Sequence, residues 1–251
     1  MFSEEFNLRG KTALVAGEGR FWGKHVALAL AEAGADVAID ARRVGTVDGV
    51  VEDIRRLGRK AVAIPADVTK PAQVQKMVKR AIAELGRIDI LVNCADVEFA
   101  KPLVETTQQE WYGVLKDNLT PVFLCCQAVG KHMLQRKKGR VINITSCLAE
   151  RGLPNGAAYC AATAGVLQLT KSLALEWARD GIRVNAIGTG WFSETDKTGA
   201  AQEDLVLRYL PLKRYGHPRE IGSLVVYLAS DATDFVTGQF LCVSGAVMAH
   251  A

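Results

Sequence analysis

The chain has 251 residues, and its 49% hydrophobic and 23% charged content is ordinary for a folded globular protein. This length fits one large α/β domain or two small ones, and the composition excludes a disordered, collagen-like or coiled-coil chain. The 31 Lys and Arg residues exceed the 27 Asp and Glu residues only slightly, which gives a net charge of +4. So mild an excess is not the mark of a nucleic-acid-binding surface, and we expect no nucleic-acid partner.

The N-terminus and the cysteine pattern predict the cellular setting. The first residues lack the charged and then apolar layout of a secretory signal, and no apolar run reaches the roughly 18 residues of a membrane span. We therefore expect a cytoplasmic protein that does not enter a membrane. The six cysteines include no CxxC pair and the four histidines lie far apart in the sequence, so we expect reduced thiols and no metal site.

Secondary structure is predicted by short apolar runs rich in Val, Ile and Ala, which alternate with stretches where apolar residues recur every three or four positions. The predicted strands are Thr12–Ala16, Val37–Asp40, Ala61–Ile64, Ile88–Asn93, Arg140–Thr145, Arg183–Ile187 and Gln239–Val243. The predicted helices lie at about 23–34, 47–57, 71–85, 107–136, 157–180 and 218–229. This alternation predicts a Rossmann-like α/β fold, a doubly wound parallel sheet of about seven strands flanked by helices.

The same elements use up the whole length, so residues 1–251 are predicted to form a single domain without a linker or an internal repeat. The longest irregular stretch, about 188–210, is predicted to be a substrate lid. Its apolar residues favour a small to medium, partly hydrophobic substrate. They are Trp191, Phe192, Leu205, Leu207, Tyr209 and Leu210.

Ligands of such sheets bind beyond the carboxyl ends of the strands, and the residues at those ends form an ordered series. In chain order they are Gly17-Glu18-Gly19-Arg20-Phe21-Trp22-Gly23, Arg42 and Arg43, Asp67-Val68, Asn93-Cys94-Ala95-Asp96, Asp117-Asn118-Leu119, Thr145-Ser146 and Tyr159. Through this series the sequence resembles the classical short-chain dehydrogenase/reductase family over essentially its whole length. The position of Tyr159, thirteen residues after Ser146, makes the resemblance specific.

The resemblance implies an oxidoreductase in which a hydride passes between a nicotinamide and a small-molecule substrate. It implies that Tyr159 exchanges a proton with the substrate oxygen, that Ser146 donates a hydrogen bond to that oxygen, and that Asn118 orders a water in a proton relay. It also implies a homotetramer, or a homodimer, in which helices 107–136 and 157–180 pair across subunits.

Several cofactor-binding features of the family are present. Gly17, Gly19 and Gly23 keep a Gly-x-Gly-x-x-x-Gly spacing that presents amides to a phosphate, and Arg20 adds positive charge there. The resemblance also places four further residues along the cofactor: Asp67, Val68, Asn93 and Ala95. Ala41 stands where an NAD-selecting acid lies in the family, and Arg42 follows it, which favours NADP(H). The other interpretation of Arg42 and Arg43 is a solvated surface pair.

Other positions depart from the family. The lysine that normally follows the tyrosine by four residues is Thr163, and the next lysine, Lys171, lies about 12 Å further along the helix. A phenol with a pKa of about 10 is ionised in only about one molecule in a thousand at neutral pH, so a tyrosine base needs a nearby positive charge. Phe21 replaces a glycine of the loop, and Asp96 replaces the glycine of Asn-Asn-Ala-Gly. Thr189 replaces a proline.

Three hypotheses therefore stay open. The protein is an NADP(H)-type alcohol/carbonyl oxidoreductase with an impaired or atypical cofactor site, or a non-redox enzyme that uses Ser146 and Tyr159 for elimination, dehydration or halohydrin-dehalogenase-like chemistry. In the third hypothesis it is a catalytically silent family member that acts as a binding or partner subunit; under these hypotheses the cofactor is NADP(H) if any, or none. Taken singly, Ser146 could simply end a strand, Asn118 could cap or kink its helix, and Tyr159 could be a core aromatic.

Overall fold

The structure is a computed structural model that describes residues 2–17, 22–41, 45, 47–195 and 205–249. Seven parallel strands form one sheet. They are β1 Thr12–Ala16, β2 Asp36–Ala41, β3 Ala61–Pro65, β4 Ile90–Asn93, β5 Gly139–Ser146, β6 Ile182–Thr189 and β7 Phe240–Val243. Their spatial order is β3-β2-β1-β4-β5-β6-β7, so the chain changes direction across the sheet between β1 and β4. The predicted doubly wound, Rossmann-like sheet is confirmed.

Helices cover both faces of the sheet. They are α1 Phe2–Glu5, α2 Trp22–Glu32, α3 Asp48–Arg56, α4 Pro71–Leu85, α5 Gln108–Asn118, α6 Thr120–Arg136, α7 Ala157–Trp177, α8 Leu205–Tyr209 and α9 Gly222–Ala229. Short 3₁₀ turns lie between them, including one at Pro218–Ile221 that leads into α9.

Strand β1 shows why the strands are uniformly apolar. Ala13 and Val15 join the buried cluster formed with α2, α3 and α9, whereas Leu14 and Ala16 join the cluster formed with α4, α6 and α7. Successive side chains of a strand point to opposite faces, and helices cover both faces here, so neither set meets water. A continuous apolar run is therefore what a central parallel strand requires.

Several predicted boundaries were wrong. The single helix predicted at 107–136 is two helices that meet at Leu119, because Pro121 near the start of α6 lacks an amide hydrogen for a continuous helix. A capping box between Thr107 and Glu110 fixes the start of α5. The strand predicted at 88–93 begins at Ile90 in the structure, two residues later than predicted. The sequence did not predict α1 or α8.

The predicted lid is only partly described. Strand β6 runs to Thr189, residues 196–204 and the side chain of Leu205 lie outside the described part, and α8 follows. Leu207 and Leu210 pack against Val247 near the C-terminus, while Tyr209 is exposed. The role of this segment as a substrate lid stays a prediction.

Within the described ranges, no helix is both long enough and apolar enough to cross a lipid bilayer. The same residues contain no group of three or more His, Cys, Asp or Glu side chains placed to hold a metal ion. The cytoplasmic location stays a prediction.

Candidate active site

The predicted catalytic residues Ser146 and Tyr159 meet at the carboxyl edge of the sheet. Ser146 is the last residue of β5, and Tyr159 lies in the first turn of α7. The loop after β4 brings Asp96 to the same place, although 63 residues separate it from Tyr159 in the sequence. Three separate segments of the chain thus form one polar centre.

Tyr159 is buried, with 6% of its surface exposed. Its hydroxyl donates a hydrogen bond to Oδ1 of Asp96 at 2.5 Å. Burial raises the pKa of Tyr159 far above its usual value, the Asp96 charge and hydrogen bond raise it further, and a hydrogen bond with Ser146 lowers it. The phenol is therefore protonated at neutral pH.

Asp96 has a second neutral donor, the indole of Trp22. Nε1 of Trp22 donates to Oδ2 of Asp96 at 3.2 Å, and the Trp22 side chain is only 2% exposed. The ring also meets Phe192 edge to face, with ring centroids 5.0 Å apart. Trp22 opens α2, so the end of the glycine loop and the loop after β4 are joined through one carboxylate.

Thr163 stands at the position of the family lysine and does not take over its role. The side chain is buried, and its hydroxyl donates to the backbone oxygen of Cys160 at 3.1 Å, one turn back along α7. Its own backbone oxygen accepts from the hydroxyl of Thr145. The hydroxyl of Thr163 is thus bonded within α7, and Thr163 supplies no charge to Tyr159.

Asn118, at the end of α5, holds the loop that carries Asp96. Its Oδ1 accepts from the amide of Val97 at 2.8 Å, and its Nδ2 donates to the backbone oxygens of Val97 and Val114, each at 3.0 Å. All three bonds go to backbone groups. The water-ordering role implied for Asn118 stays a prediction, and the geometry gives it a positioning role beside Asp96.

Ser146 has one further partner. Its Oγ accepts a hydrogen bond from the amide of Leu148 at 3.2 Å, which begins a short 3₁₀ turn. The hydroxyl hydrogen is not needed for that bond and is available to Tyr159 or to a substrate oxygen. The neighbouring thiol of Cys147 is buried, and burial raises its pKa, which does not favour a thiolate nucleophile.

Some of the predicted cofactor residues lie in the described part of the chain, and others lie outside it. Gly17 follows β1 with φ +78°, and a Cβ there would lie 2.7 Å from the amide nitrogen of Ala95, so only glycine fits. Gly23 lies inside α2, and Val68 is in the core. The carboxylate of Asp67 accepts from the amide and hydroxyl of Thr69. Three predicted cofactor residues, Gly19, Arg20 and Arg42, lie outside the described part of the chain, together with Phe21 and Arg43.

Asn93 is turned into the protein. Its Nδ2 donates to Oδ1 of Asn143 on β5 at 2.8 Å, and Nδ2 of Asn143 donates to the hydroxyl of Thr170 on α7 at 2.9 Å. This buried chain of amides ties β4, β5 and α7 together below the site. The side chain of Asn93 therefore supports the scaffold, and a direct contact with a cofactor stays a prediction.

A dinucleotide fits the crevice between β1 and β4 in part. The crevice lies at the switch point of the sheet, where Gly17 lets the end of β1 pack directly against Ala95 after β4. At the other end, the hydroxyl of Tyr159 already bonds to the Asp96 carboxylate, beside the ring of Trp22. The sheet topology thus fits a dinucleotide, whereas at the Tyr159 end a carboxylate accepts from the phenol and Thr163 stands at the position of the family's lysine.

Sequence reasoning missed the two contacts that organise the site. It identified Asp96 as a departure but did not join it to Tyr159, and it gave Trp22 no role. One signal could have suggested the contact between Trp22 and Asp96. Trp22 is a large aromatic residue with a polar N–H at the start of α2, and Asp96 is an acid at a loop position where the family has glycine.

The fold is that of a Rossmann-like α/β protein with a Ser–Tyr pair at the carboxyl edge of its sheet, and comparison with known proteins gives its family. Residues 21–247 match the family model described as Enoyl-(Acyl carrier protein) reductase. The chain belongs to the short-chain dehydrogenase/reductase family of oxidoreductases.

Similar proteins cover nearly the whole chain. A 3-oxoacyl-[acyl-carrier-protein] reductase FabG of Staphylococcus epidermidis is 41% identical over 239 residues, which are 94% of this chain and 98% of that protein. A 5-keto-D-gluconate 5-reductase of Escherichia coli is 36% identical over 248 residues, 97% of each protein. A gluconate 5-dehydrogenase of Burkholderia cenocepacia, solved with NADP and tartrate, has 35% identity and a TM-score of 0.91 over all of both chains.

Proposed function

We propose that the protein is an NADP(H)-type alcohol/carbonyl oxidoreductase with an atypical cofactor site. The observation that carries the proposal is the buried pair of Ser146 and Tyr159 at the carboxyl edge of the sheet. A hydroxyl donor and a phenol on two rigid elements can contact one substrate oxygen together, which is what carbonyl and alcohol chemistry requires.

The chain's own residues hold the oxygen and its proton. Ser146 donates a hydrogen bond to the substrate oxygen, and Tyr159 exchanges a proton with it. NADP(H), when bound, supplies or accepts the hydride. Gly17, Gly19, Gly23 and Arg20 would hold its phosphates, with Asp67, Val68, Asn93 and Ala95 along it.

The choice of NADP(H) over NAD(H) is supported by the end of β2. Ala41 is the last residue of that strand, where a carboxylate that would repel a 2′-phosphate is absent. Arg42 and Arg43 follow in the sequence and supply positive charge. The similar gluconate 5-dehydrogenase was solved with NADP.

The substrate class is a small to medium alcohol or ketone. The names of two similar proteins specify a 3-oxoacyl group and a 5-keto sugar acid, and both contain a ketone. Trp191 and Phe192 supply half-buried apolar side chains near the beginning of the predicted lid.

A homo-oligomer, tetramer or dimer, completes the proposal. Tyr112 on α5, Phe123 on α6 and Leu175 on α7 are large apolar side chains left exposed, with Leu175 at 84%. These are the helices that the family resemblance pairs across subunits. A second copy would remove this apolar surface from water.

A non-redox enzyme is the second candidate, and the charges around Tyr159 favour it. The charged side chains with the largest effect on the phenol are Asp96 and Glu98, and both are acidic. Elimination or dehydration by Ser146 and Tyr159 needs no nicotinamide, so it would not require the missing lysine.

The experiment follows the absorbance of NADPH while the protein acts on 5-keto-D-gluconate, on a 3-oxoacyl thioester and, in reverse with NADP⁺, on secondary alcohols. We expect turnover of at least one of them and a loss of about 100-fold or more in Tyr159→Phe. Tyr227→Phe is the matched control, because Tyr227 lies on α9 and stacks on Phe6. Absence of hydride transfer in both directions would overturn the proposal and leave the non-redox or silent alternatives.

A further inference from the structure

We infer that Asp96 is the proton acceptor of Tyr159, so that a tyrosine–carboxylate pair does the work of the family's tyrosine–lysine pair. The inference rests on the proposed function and deepens it. Asp96 acts on the substrate only through Tyr159, which remains the residue that touches the substrate oxygen.

The direction of the hydrogen bond is fixed by chemistry. A phenol has one hydrogen to donate, and a carboxylate can only accept. The bond from Tyr159 to Oδ1 of Asp96 is 2.5 Å long, the length typical of a charge-assisted O–H···O⁻ bond. The hydrogen of Tyr159 therefore already points at the group that would take it.

Asp96 is held in place from two other directions. Its second oxygen accepts from the indole of Trp22, a side chain buried on α2. The next residue, Val97, is bonded through both its amide and its carbonyl to the side chain of Asn118. Contacts from α2 and α5 therefore hold the Asp96 carboxylate in place facing Tyr159 on α7. Such a carboxylate is preorganised to accept a proton, whereas a mobile surface acid is not.

The other groups around the phenol do not compete for this role. Ser146 of β5 is neutral, and the hydroxyl of Thr163 is turned back to its own helix. Glu98, in the same loop as Asp96, is exposed and has a smaller effect on Tyr159. Together with burial, the two acids hold Tyr159 in its neutral form. Tyr159 therefore cannot begin the reaction as a tyrosinate.

A relay avoids that ionised form. In alcohol oxidation, the substrate O–H bond breaks and its proton passes to Oη of Tyr159, while the original hydroxyl proton of Tyr159 passes to Oδ1 of Asp96. NADP⁺, when bound, would accept the hydride from the substrate carbon as the C–O bond becomes C=O. Tyr159 is neutral before and after the step, and Asp96 ends protonated. The resting arrangement of neutral phenol and carboxylate is thus the starting state for alcohol oxidation.

The test measures the phenol itself, without turnover. We would replace Tyr159 by 3,5-difluorotyrosine, whose hydroxyl is more acidic, and follow its ionisation by ¹⁹F NMR in the intact protein. Asp96→Asn keeps the shape and removes the charge, and we expect it to lower the titration midpoint by about one pH unit or more. Glu98→Gln is the matched control, because it removes a neighbouring negative charge with a smaller effect on the phenol, and we expect a clearly smaller shift.

The outcomes separate this inference from the proposed function. An unchanged titration midpoint of the residue 159 phenol in Asp96→Asn, or an equal shift in Glu98→Gln, would overturn the inferred pairing of Tyr159 with Asp96. Where the protein oxidises an alcohol, Asp96→Asn should lower kcat by about 100-fold with KM little changed, and an unchanged kcat would overturn the relay. A chain with the expected shift but no hydride transfer would contradict the proposed oxidoreductase and retain the Tyr159–Asp96 contact.

Discussion

Two acids, the buried Asp89 before β4 and the half-buried Asp96 after it, have opposite surroundings. Asp89, just before the strand, accepts from the guanidinium groups of Arg87 and Arg136 at 2.8 Å each and from the amide of Thr12 at 3.0 Å. Although burial opposes it, these donors hold the pKa of Asp89 below its usual value. Asp96, three residues after the strand, accepts from a phenol and an indole, which are neutral.

The difference indicates that Asp89 stabilises the fold, whereas Asp96 is available for proton transfer. At the amino edge of the sheet, two cations neutralise the Asp89 carboxylate, and the cluster joins β4 to β1 and α6. At the carboxyl edge, a phenol and an indole fix the position of Asp96, and because both are neutral they do not neutralise its negative charge. Charge that is positioned but not neutralised is what a proton-transfer site needs.

The largest expected effect on stability is that of Asp89→Asn. Removing this carboxylate leaves Arg87 and Arg136 without their shared partner, and we expect the free energy of unfolding to fall by about 2 kcal/mol. Because the folded pKa is below 3.8, the wild-type contribution is present above that pH and is lost as pH falls through the folded value. Chemical denaturation at several pH values measures both.

Asp96→Asn is the contrasting variant, and we expect it to change the free energy of unfolding by less than about 1 kcal/mol. Its one amide oxygen can still accept from the Trp22 indole, and its NH2 group can donate to the hydroxyl oxygen of Tyr159. A larger loss of stability in Asp96→Asn than in Asp89→Asn would show that the two acids have been assigned to the wrong roles.

Thr163→Lys tests whether the crevice lacks only its lysine. We expect less than about a tenfold gain in carbonyl-reductase rate, because the new ammonium would meet the Asp96 carboxylate and because the glycine loop is also altered. Steady-state kinetics with NADPH measures the effect. The double variant with Asp96→Gly is the matched comparison. A large gain in the single variant would mean that the loop and Asp96 matter less than the lysine.

A smaller effect is expected at His25, on α2 beside the crevice. Nε2 of His25 lies 3.0 Å from Oε1 of Glu194. Its Nδ1 is buried and has no hydrogen-bond partner among the residues that the structure describes. Burial lowers the pKa of His25 below 6.5. The unfolded chain therefore binds a proton first as pH falls, so stability is full above about pH 6.5 and decreases below it. We expect His25→Gln to reduce this loss by less than about 1 kcal/mol.

Thermal unfolding between pH 7 and pH 5 measures the difference between His25→Gln and the wild type. Identical pH dependence in the two proteins would show that His25 titrates alike in the folded and unfolded chains.

The sequence predicted the scaffold well because the strands are apolar on both faces, as in β1, and because the spacing of Ser146 and Tyr159 is fixed by their elements. It did not predict the site's central contact. Asp96 and Tyr159 are 63 positions apart, and their meeting depends on the angle of a loop held by Asn118 and on the packing of Trp22. Such side-chain directions follow from tertiary packing, which periodicity does not encode.

We propose that the crevice between β1 and β4, and not the scaffold, is where this chain differs from its family. Calorimetric titration with NADPH tests it most directly in the wild type, in Asp96→Gly and in Asp89→Asn. We predict a wild-type Kd no tighter than about 10 μM, tighter binding in Asp96→Gly and no change in Asp89→Asn. Sub-micromolar affinity in the wild type would contradict the account.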